Sequence, residues 1–520
     1  MKRRSFLRRT LELSAAGLIV PASLRRGDFL DPARAYALGP NDPFAGQILV
    51  LINLNGGNDG LNTVVPYNDP TYHAVRPTLA MDPGQVIQIE PGLGTGLHPQ
   101  LQPLESLYNQ GKMAIVQGVG YPNMNLSHFR GTDIWFSGSS EDQVVQTGWL
   151  ARFLEHSFPE FPTQLPTSPF GLQQSLAHRI PLQGERGVTG VVVDNPSSFY
   201  YLVNENYIGD YDDNPPATRG GEELSFLREI DSASFEYAEA IQNAADTGTN
   251  TVAYPQTNLG YQLEIVAKLI SGGLATPIYL TAEYGFDTHA NQSTDHANLM
   301  ASLAGSVQAF LTDLANQGLA EKVLILTQSE FGRRVEENGG LGTDHGTAAP
   351  MFLLGEHVQG GVYGVNPDLI NLDQDENLLI QHDYRTIYSS ILRQHFGASS
   401  TVAQDVLFGD FGTMSLLDQV SAVESNGLPV ANRLHRITPN PMPMATGDAV
   451  HVQFDLARDE YVQMDVFDVR GRRVRELSRR TYAAGSHRID WQPNDVASGT
   501  YVIRMSTRGW QQSVKAVLVP

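Results

Sequence analysis

Gln47–Leu54 reads QILVLINL and runs directly into Asn55-Gly56-Gly57. An almost unbroken apolar run of this length, closed by a turn signal, suits a strand buried on both faces, as the strands of a parallel sheet are. The same signature recurs at Met113–Val116, Val191–Val193, Pro277–Thr281, Lys322–Thr327 and Met351–Leu354. Helical periodicity lies between these runs. Leu299, Leu303, Val307, Phe310 and Leu314 fall on one face of a helix, and Leu224, Leu227, Phe235, Ala238 and Ile241 mark a second. Ile387, Ile391 and Leu392 mark a third. Strand–helix alternation over 47–397 predicts one large α/β domain, a mostly parallel sheet flanked by helices on both faces. Asp210–Glu223 and Glu337–Pro350 read as loops.

The two ends follow other rules. Residues 1–9 read MKRRSFLRR, and Leu11–Ala22 is a short apolar stretch. A basic start and an apolar run too short to span a bilayer make residues 1–30 an export leader, to be left out of the fold. Arg3-Arg4-Ser5-Phe6-Leu7 resembles the twin-arginine signal, which implies the twin-arginine translocase as partner and passage across the membrane in the folded state. An ordinary secretory leader and a basic amphipathic helix are the alternatives. At the other end, Val450, Val452, Phe454 and Leu456 alternate with polar residues. Further short strands are predicted at Tyr461–Phe467, Arg472–Leu477, His487–Trp491, Thr500–Met505 and Ser513–Val519. That spacing, with Arg470-Gly471, Ala484-Gly485 and Ser498-Gly499 as turns, predicts a small immunoglobulin-like β-sandwich. The expected division is an α/β domain over 45–417, a linker over 418–435 and the sandwich over 436–520.

Composition narrows the chemistry. The 520-residue chain has no cysteine, so thiolate nucleophiles, thiolate metal ligands and disulfides are excluded. Its net charge of −21 argues against nucleic acid, whose phosphates require a basic footprint. No stretch is long and apolar enough to cross a membrane, so the mature protein is expected to be soluble. Any metal must be held by His, Asp, Glu, Asn or a hydroxyl.

Four segments place such groups just beyond predicted strands, at the sheet edge where α/β proteins bind ligands. They are Asn55–Asn62 (NGGNDGLN), Gly285–His289 (GFDTH), Thr327–Arg333 (TQSEFGR) and Gly342–Gly346 (GTDHG). The first is also an ordinary Asn/Asp/Gly turn, and a lone His or Asp in a loop is usually solvated. Together they nominate Asp59, Asp287, His289, Glu330, Asp344 and His345 as metal ligands, for zinc, manganese, iron or calcium.

These segments carry a family resemblance. GGNDGLNTVVPY at Gly56–Tyr67, LHP at Leu97–Pro99, Ser127-His128-Phe129, FDTH at Phe286–His289, SEFGR at Ser329–Arg333, TDHG at Thr343–Gly346 and His382-Asp383-Tyr384-Arg385 resemble the bacterial DUF1501 proteins. That family is similar to the alkaline phosphatase–sulfatase superfamily, whose members set divalent metals beside a hydroxyl nucleophile. The resemblance implies Asp287 and His289 as a ligand pair, Glu330 in place of an Asp ligand, and His345, with Asp344, as a later ligand. It makes Ser127 the nucleophile candidate, although a helix N-cap is the commoner role of such a serine. Arg333 could stabilise charge on a transferred oxyanion, or pair with Glu336 or Glu337. The chain departs from the superfamily pattern at Phe331, where a His is usual, and at Asn55, where an Asp is frequent.

The tail has its own resemblance. Pro439-Asn440-Pro441, Val466–Arg472 (VFDVRGR), Ala497–Tyr501 (ASGTY) and Lys515–Pro520 (KAVLVP) resemble the type A sorting domain of the type IX secretion system and the flagellar hook-capping immunoglobulin-like domain. Together the readings imply a protein exported through the periplasm to the cell surface or medium by the type IX machinery. They predict a metal-dependent hydrolase of phosphate or sulfate esters, small or polymeric. The alternative is a non-catalytic surface protein that retains the fold.

Overall fold

The computed structural model describes residues 44, 46–162, 165–174, 178–206, 237–418, 433–434, 442–443 and 450–519, apart from 457, 484, 494, 495 and 509. The leader with its twin-arginine run lies outside these residues. So do the segment 210–223, Leu224, Leu227 and Phe235 of the second helical pattern, Pro439-Asn440-Pro441, and nearly all of the linker. The described residues form two compact units, one on each side of Val420 and Ser421.

The first unit is built on a nine-stranded sheet. In chain order its strands are β1 (Ile48–Asn55), β2 (Met113–Gly120), β3 (Gly171–Gln173), β4 (Gly190–Val192), β5 (Ile278–Tyr284), β6 (Val323–Gln328), β7 (Ala349–Leu354), β8 (Gly361–Tyr363) and β9 (His382–Asp383). Across the sheet the order is β8-β2-β7-β6-β1-β5-β3-β4, with β9 beside β2. All pairings are parallel except those of β7, which runs antiparallel to both β2 and β6. The sheet is therefore mixed, and the strand expected at Met351–Leu354 is the one that reverses. The other apolar runs all appear, one to four residues longer or shifted at their ends, as expected of boundaries.

Central β1 is buried along its length until Asn55, because helices cover both faces. One cover is the long helix Gln292–Asn316, whose Met300, Leu303, Val307, Phe310 and Leu314 are at most 1% exposed. Helix Asn258–Ser271, capped by the Thr257 hydroxyl on the Gly260 amide, lies against it. On another part of the core Trp149 stacks on Tyr388 with ring centroids 4.2 Å apart. Removing a side chain such as Leu51 from this core would cost ~2–5 kcal/mol.

Register fixes where function can reside. Asn55 pairs with Tyr284, and Asn53 with Gln328, so β1, β5 and β6 end level with one another. Because β7 is antiparallel to both β6 and β2, β2 points the same way and ends on that edge too. The loops leaving these four strands carry every candidate site residue. Between β6 and β7, Gly332–Arg333 and His345–Gly346 form a small antiparallel pair that sets Arg333 opposite His345.

The second unit contains a three-stranded and a five-stranded sheet. Its long strands, Val450–Leu456, Glu460–Asp468, Arg473–Tyr482, Gly485–Trp491, Gly499–Ser506 and Gln511–Val519, are those the alternation predicts. Val452, Phe454, Leu456, Val466, Trp491, Tyr501 and Ile503 are all buried in a core of its own. This is the packing of a β-sandwich.

Candidate metal centre

The loops converge because small residues let them. Beyond β1, Gly56 and Gly57 have φ of 125° and 83°. A Cβ at Gly56 would lie 2.3 Å from the Asp287 amide nitrogen, and one at Gly57 would lie 2.4 Å from the Phe331 ring. The turn chemistry of Asn55-Gly56-Gly57 thus serves a close approach of three loops. Its amides are taken by protein groups: Gly56 N–H donates to Glu330 Oε1 at 2.9 Å and Asn58 N–H to Ser329 Oγ at 2.9 Å.

Above this floor, three imidazoles gather around one carboxylate. Asp287 Oδ1 lies 3.0 Å from His289 Nε2 and 3.1 Å from His345 Nε2, and Asp287 Oδ2 lies 3.5 Å from His128 Nε2. His289 Nε2 and His345 Nε2 are 3.1 Å apart. His128, Asp287 and His345 each offer a ligand atom, all within 4.8 Å of one another. On every ring the other nitrogen faces an acceptor. His128 Nδ1 is 2.8 Å from Glu330 Oε1, His289 Nδ1 is 3.0 Å from Asp344 Oδ1, and His345 Nδ1 is 3.0 Å from the Leu126 carbonyl.

The Leu126 carbonyl only accepts, so His345 carries a proton on Nδ1. With Glu330 and Asp344 accepting likewise from His128 and His289, neutral rings would turn their Nε2 lone pairs to the centre, where Asp287 is equally able to accept a proton from Nε2. Two such lone pairs and a carboxylate oxygen, mutually 3.0–3.1 Å apart, would repel, and a proton or a cation among them relieves that repulsion. Ligands at about 2.0–2.1 Å from a common ion would stand about 2.9–3.4 Å from each other, depending on geometry, which is the spacing observed. A Nδ1–H donated to a carboxylate or carbonyl is the usual support of a metal-binding histidine. The residues fit a divalent metal.

The charged groups of the centre shift one another. Burial would raise the Asp287 carboxyl, but Arg333 and His345 outweigh it and hold it down to about 2. The hydrogen bond to Glu330 raises His128 above the usual histidine range, whereas burial lowers His345. Hydrogen bonds from Asn338 and His289 hold Asp344 below the usual carboxylate range.

The sequence candidates divide into five kinds. Asp287, His289 and His345 come together at the centre. Glu330, buried, and Asp344 stand behind His128 and His289 and orient them. Asp59 belongs to a separate buried network, capping the short helix Gly60–Thr63 and paired with Arg76 at 2.6 Å. Arg333 is wholly enclosed: it donates to the carbonyls of Gly56, Gly57 (2.7 Å), Phe286 (3.0 Å) and Thr343 (2.7 Å) and to Asp287 Oδ1 (2.7 Å). Its fork is spent on the loops and on aiming Asp287, and it pairs with neither Glu336 nor Glu337 among these contacts. Ser127 is exposed at the start of helix His128–Ser137, and its hydroxyl makes no capping bond. Phe331 is buried, its ring packed on His128 at 4.9 Å and on His345 at 4.4 Å. His128 is the group that motif reading passed over as a ligand. Its signal was position, since it too follows the carboxyl end of a strand of the sheet.

With this geometry in place, comparison with known proteins gives the following. No curated protein matches the chain. Among solved structures, a sulfatase from Pseudoalteromonas sp. is 10% identical over 88% of this chain and 83% of its own, with a TM-score of 0.33. A protein in the alkaline phosphatase superfamily from Vibrio parahaemolyticus is 9% identical over 79% of this chain and 76% of its own, with a TM-score of 0.29. PorZ, a surface component of the type-IX secretion system of Porphyromonas gingivalis, is 18% identical over 20% of this chain, which spans 13% of PorZ, with a TM-score of 0.13. Residues 436–519 match the secretion system C-terminal sorting domain, which addresses the chain to the cell surface or the extracellular space and engages it with the type IX machinery. Among the described residues no helix is long and apolar enough to cross a membrane. Residues 262–395, which carry Asp287, His289, Glu330, Arg333 and His345, match the family described as a protein of unknown function, DUF1501, so the chain joins a DUF1501 segment to a C-terminal sorting domain.

Proposed function

We propose that this is an exported, metal-dependent hydrolase of phosphate or sulfate esters. The observation that carries the reading is the convergence of three Nε2 atoms on Asp287 with each Nδ1 tied back. His128, Asp287, His289 and His345 would hold the ion, with Glu330 and Asp344 fixing two of the rings. A divalent ion bound there would supply a Lewis acid for an ester oxygen. Ser127, between Leu126 and His128, both of which contact the centre, offers an exposed hydroxyl unused in capping. It is the nucleophile candidate, with a water molecule as the other. Arg333 acts in this reading by aiming Asp287.

Metal analysis and an ester screen of the purified full chain test this. Stoichiometric metal is expected, lost in Asp287→Asn and in His128→Ala, together with hydrolysis of nitrophenyl phosphate or sulfate that a chelator abolishes. Ser127→Ala then separates the two nucleophiles. No bound metal and no hydrolysis with added zinc, manganese or calcium would refute the proposal. Phe331 favours a second reading, a non-catalytic surface protein, because its ring fills the space of an expected ligand. Full metal occupancy without turnover would support that one.

A further inference from the structure

We propose that Gln292 is a positioning residue for this centre, its buried side-chain amide locking the two ligand-bearing loops to the Asp59–Arg76 ion pair. The inference rests on the metal reading above. Gln292 is the first residue of helix Gln292–Asn316 and is 0% exposed. Its Oε1 accepts from Thr288 Oγ1 at 3.1 Å and from Thr343 Oγ1 at 2.6 Å. Its Nε2 donates to Asp59 Oδ2. The Asp59 carboxylate, held ionised by Arg76, needs a donor and so fixes the amide with Nε2 toward it, which leaves Oε1 to accept from the two hydroxyls.

Each threonine marks one loop. Thr288 sits between Asp287 and His289, and Thr343 directly precedes Asp344 and His345. One carbonyl oxygen therefore sets how far apart the two loops stand, and with it the 3.1 Å gap between His289 and His345. The backbone reinforces the lock: Thr343 N–H donates to the Thr288 carbonyl at 3.2 Å, and Gln292 N–H to the Leu341 carbonyl at 3.0 Å. Behind Asp59, Arg76 also donates to the carbonyls of Val335 (2.8 Å) and Arg334 (2.8 Å), just past Arg333. Asp59, nominated from sequence as a ligand, thus anchors the layer beneath the ligands. Gln292 makes its side-chain hydrogen bonds to Thr288, Thr343 and Asp59 and to no ligand side chain, so its effect passes through loop spacing.

The experiment is a cobalt(II) titration of the full chain, read by visible absorption, beside thermal unfolding without metal. Gln292→Met keeps length and burial but makes no hydrogen bonds, and Thr343→Val removes one donor without changing shape. Gln262→Met is the control. Gln262 is equally enclosed and bonds only the Ala282 backbone and Asn258 carbonyl, away from the ligand loops. Gln292→Met is expected to weaken cobalt binding about 10–100-fold, as lost outer partners of metal ligands do, and to shift the absorption bands. Thr343→Val should weaken it in the same direction, and the double variant should be no weaker than the worse single one. Gln262→Met should lower the unfolding temperature yet bind cobalt as the parent does. Wild-type affinity and spectrum in Gln292→Met, or equal loss in Gln262→Met, would overturn the inference while leaving the metal reading intact. If Gln292→Met does not fold, Thr343→Val carries the same test. A parent chain that takes up no cobalt overturns the metal reading and this inference with it.

Discussion

Replacing Arg333 with Met should destabilise the α/β unit by ~3–5 kcal/mol, the range for breaking a buried pair by removing one partner. The guanidinium is fully enclosed and serves four backbone carbonyls and Asp287. Each buried acceptor left without a donor costs ~1–3 kcal/mol, which for four carbonyls would exceed that range. Asp287 is 47% exposed, however, so water can reach the outer part of the gap and screen the orphaned carboxylate. The lower figure is therefore the one to expect. Arg333→Lys keeps the charge but replaces a planar five-donor fork with a three-donor point, and should lose less stability than Arg333→Met while still falling below the parent. The assay is urea unfolding with chelator present, followed by tryptophan fluorescence. Trp135 donates from Nε1 to the Glu330 carbonyl at 2.9 Å and so reports the region directly. A loss below ~1 kcal/mol in both variants would refute the view that Arg333 is the clamp of the centre, since surface substitutions fall in that range. Had Arg333 faced substrate as an oxyanion binder, the same variants would slow turnover at nearly unchanged stability.

Three further outcomes follow from other parts of the chain. Burial would raise the Asp313 carboxyl, but hydrogen bonds from Asn250, Thr251 and Tyr254 outweigh it and hold it below the usual carboxylate range. Its stabilisation is complete above the unfolded carboxyl pKa and is lost as pH falls through the folded value. The unfolding temperature of the parent should exceed that of Asp313→Asn at pH 7, and the gap should close below about pH 4; a gap unchanged down to pH 3 would contradict this. Deleting residues 436–520 should leave the α/β unit folded and its metal bound, because the tail has its own core, but the product should stay in the periplasm, and Arg3→Lys with Arg4→Lys should hold the precursor in the cytoplasm; fractionation of expressing cells checks both.

The α/β class and the tail sandwich were legible in the chain because burial is periodic. Gln47–Leu54 needs no knowledge of its neighbours to read as a two-sided strand, and Val450, Val452, Phe454 and Leu456 declare a one-sided one. What periodicity cannot carry is direction, and so the reversal of Ala349–Leu354 appeared only in the folded sheet. That several of the candidate residues would gather at one edge was legible by the same limited logic. Asp287, His289 and His345 follow strand ends at a shared edge, and their side-chain types are those a metal site would use.

Tertiary structure alone sorted these groups into layers. Residue type does not distinguish a carboxylate that faces the centre from one that orients an imidazole, so Glu330, Asp344 and Asp59 read alike from sequence. Their roles depend on which ring or guanidinium packs against them. His128 joined the centre because the loop beyond Met113–Gly120 returns across the strand ends, a closure that local pattern does not encode. Arg333 was read as a group facing outward, and Gln292 carried no motif at all. Both owe their parts to backbone carbonyls, hydroxyls and carboxylates brought together from distant segments, and those partners exist only once the chain has folded.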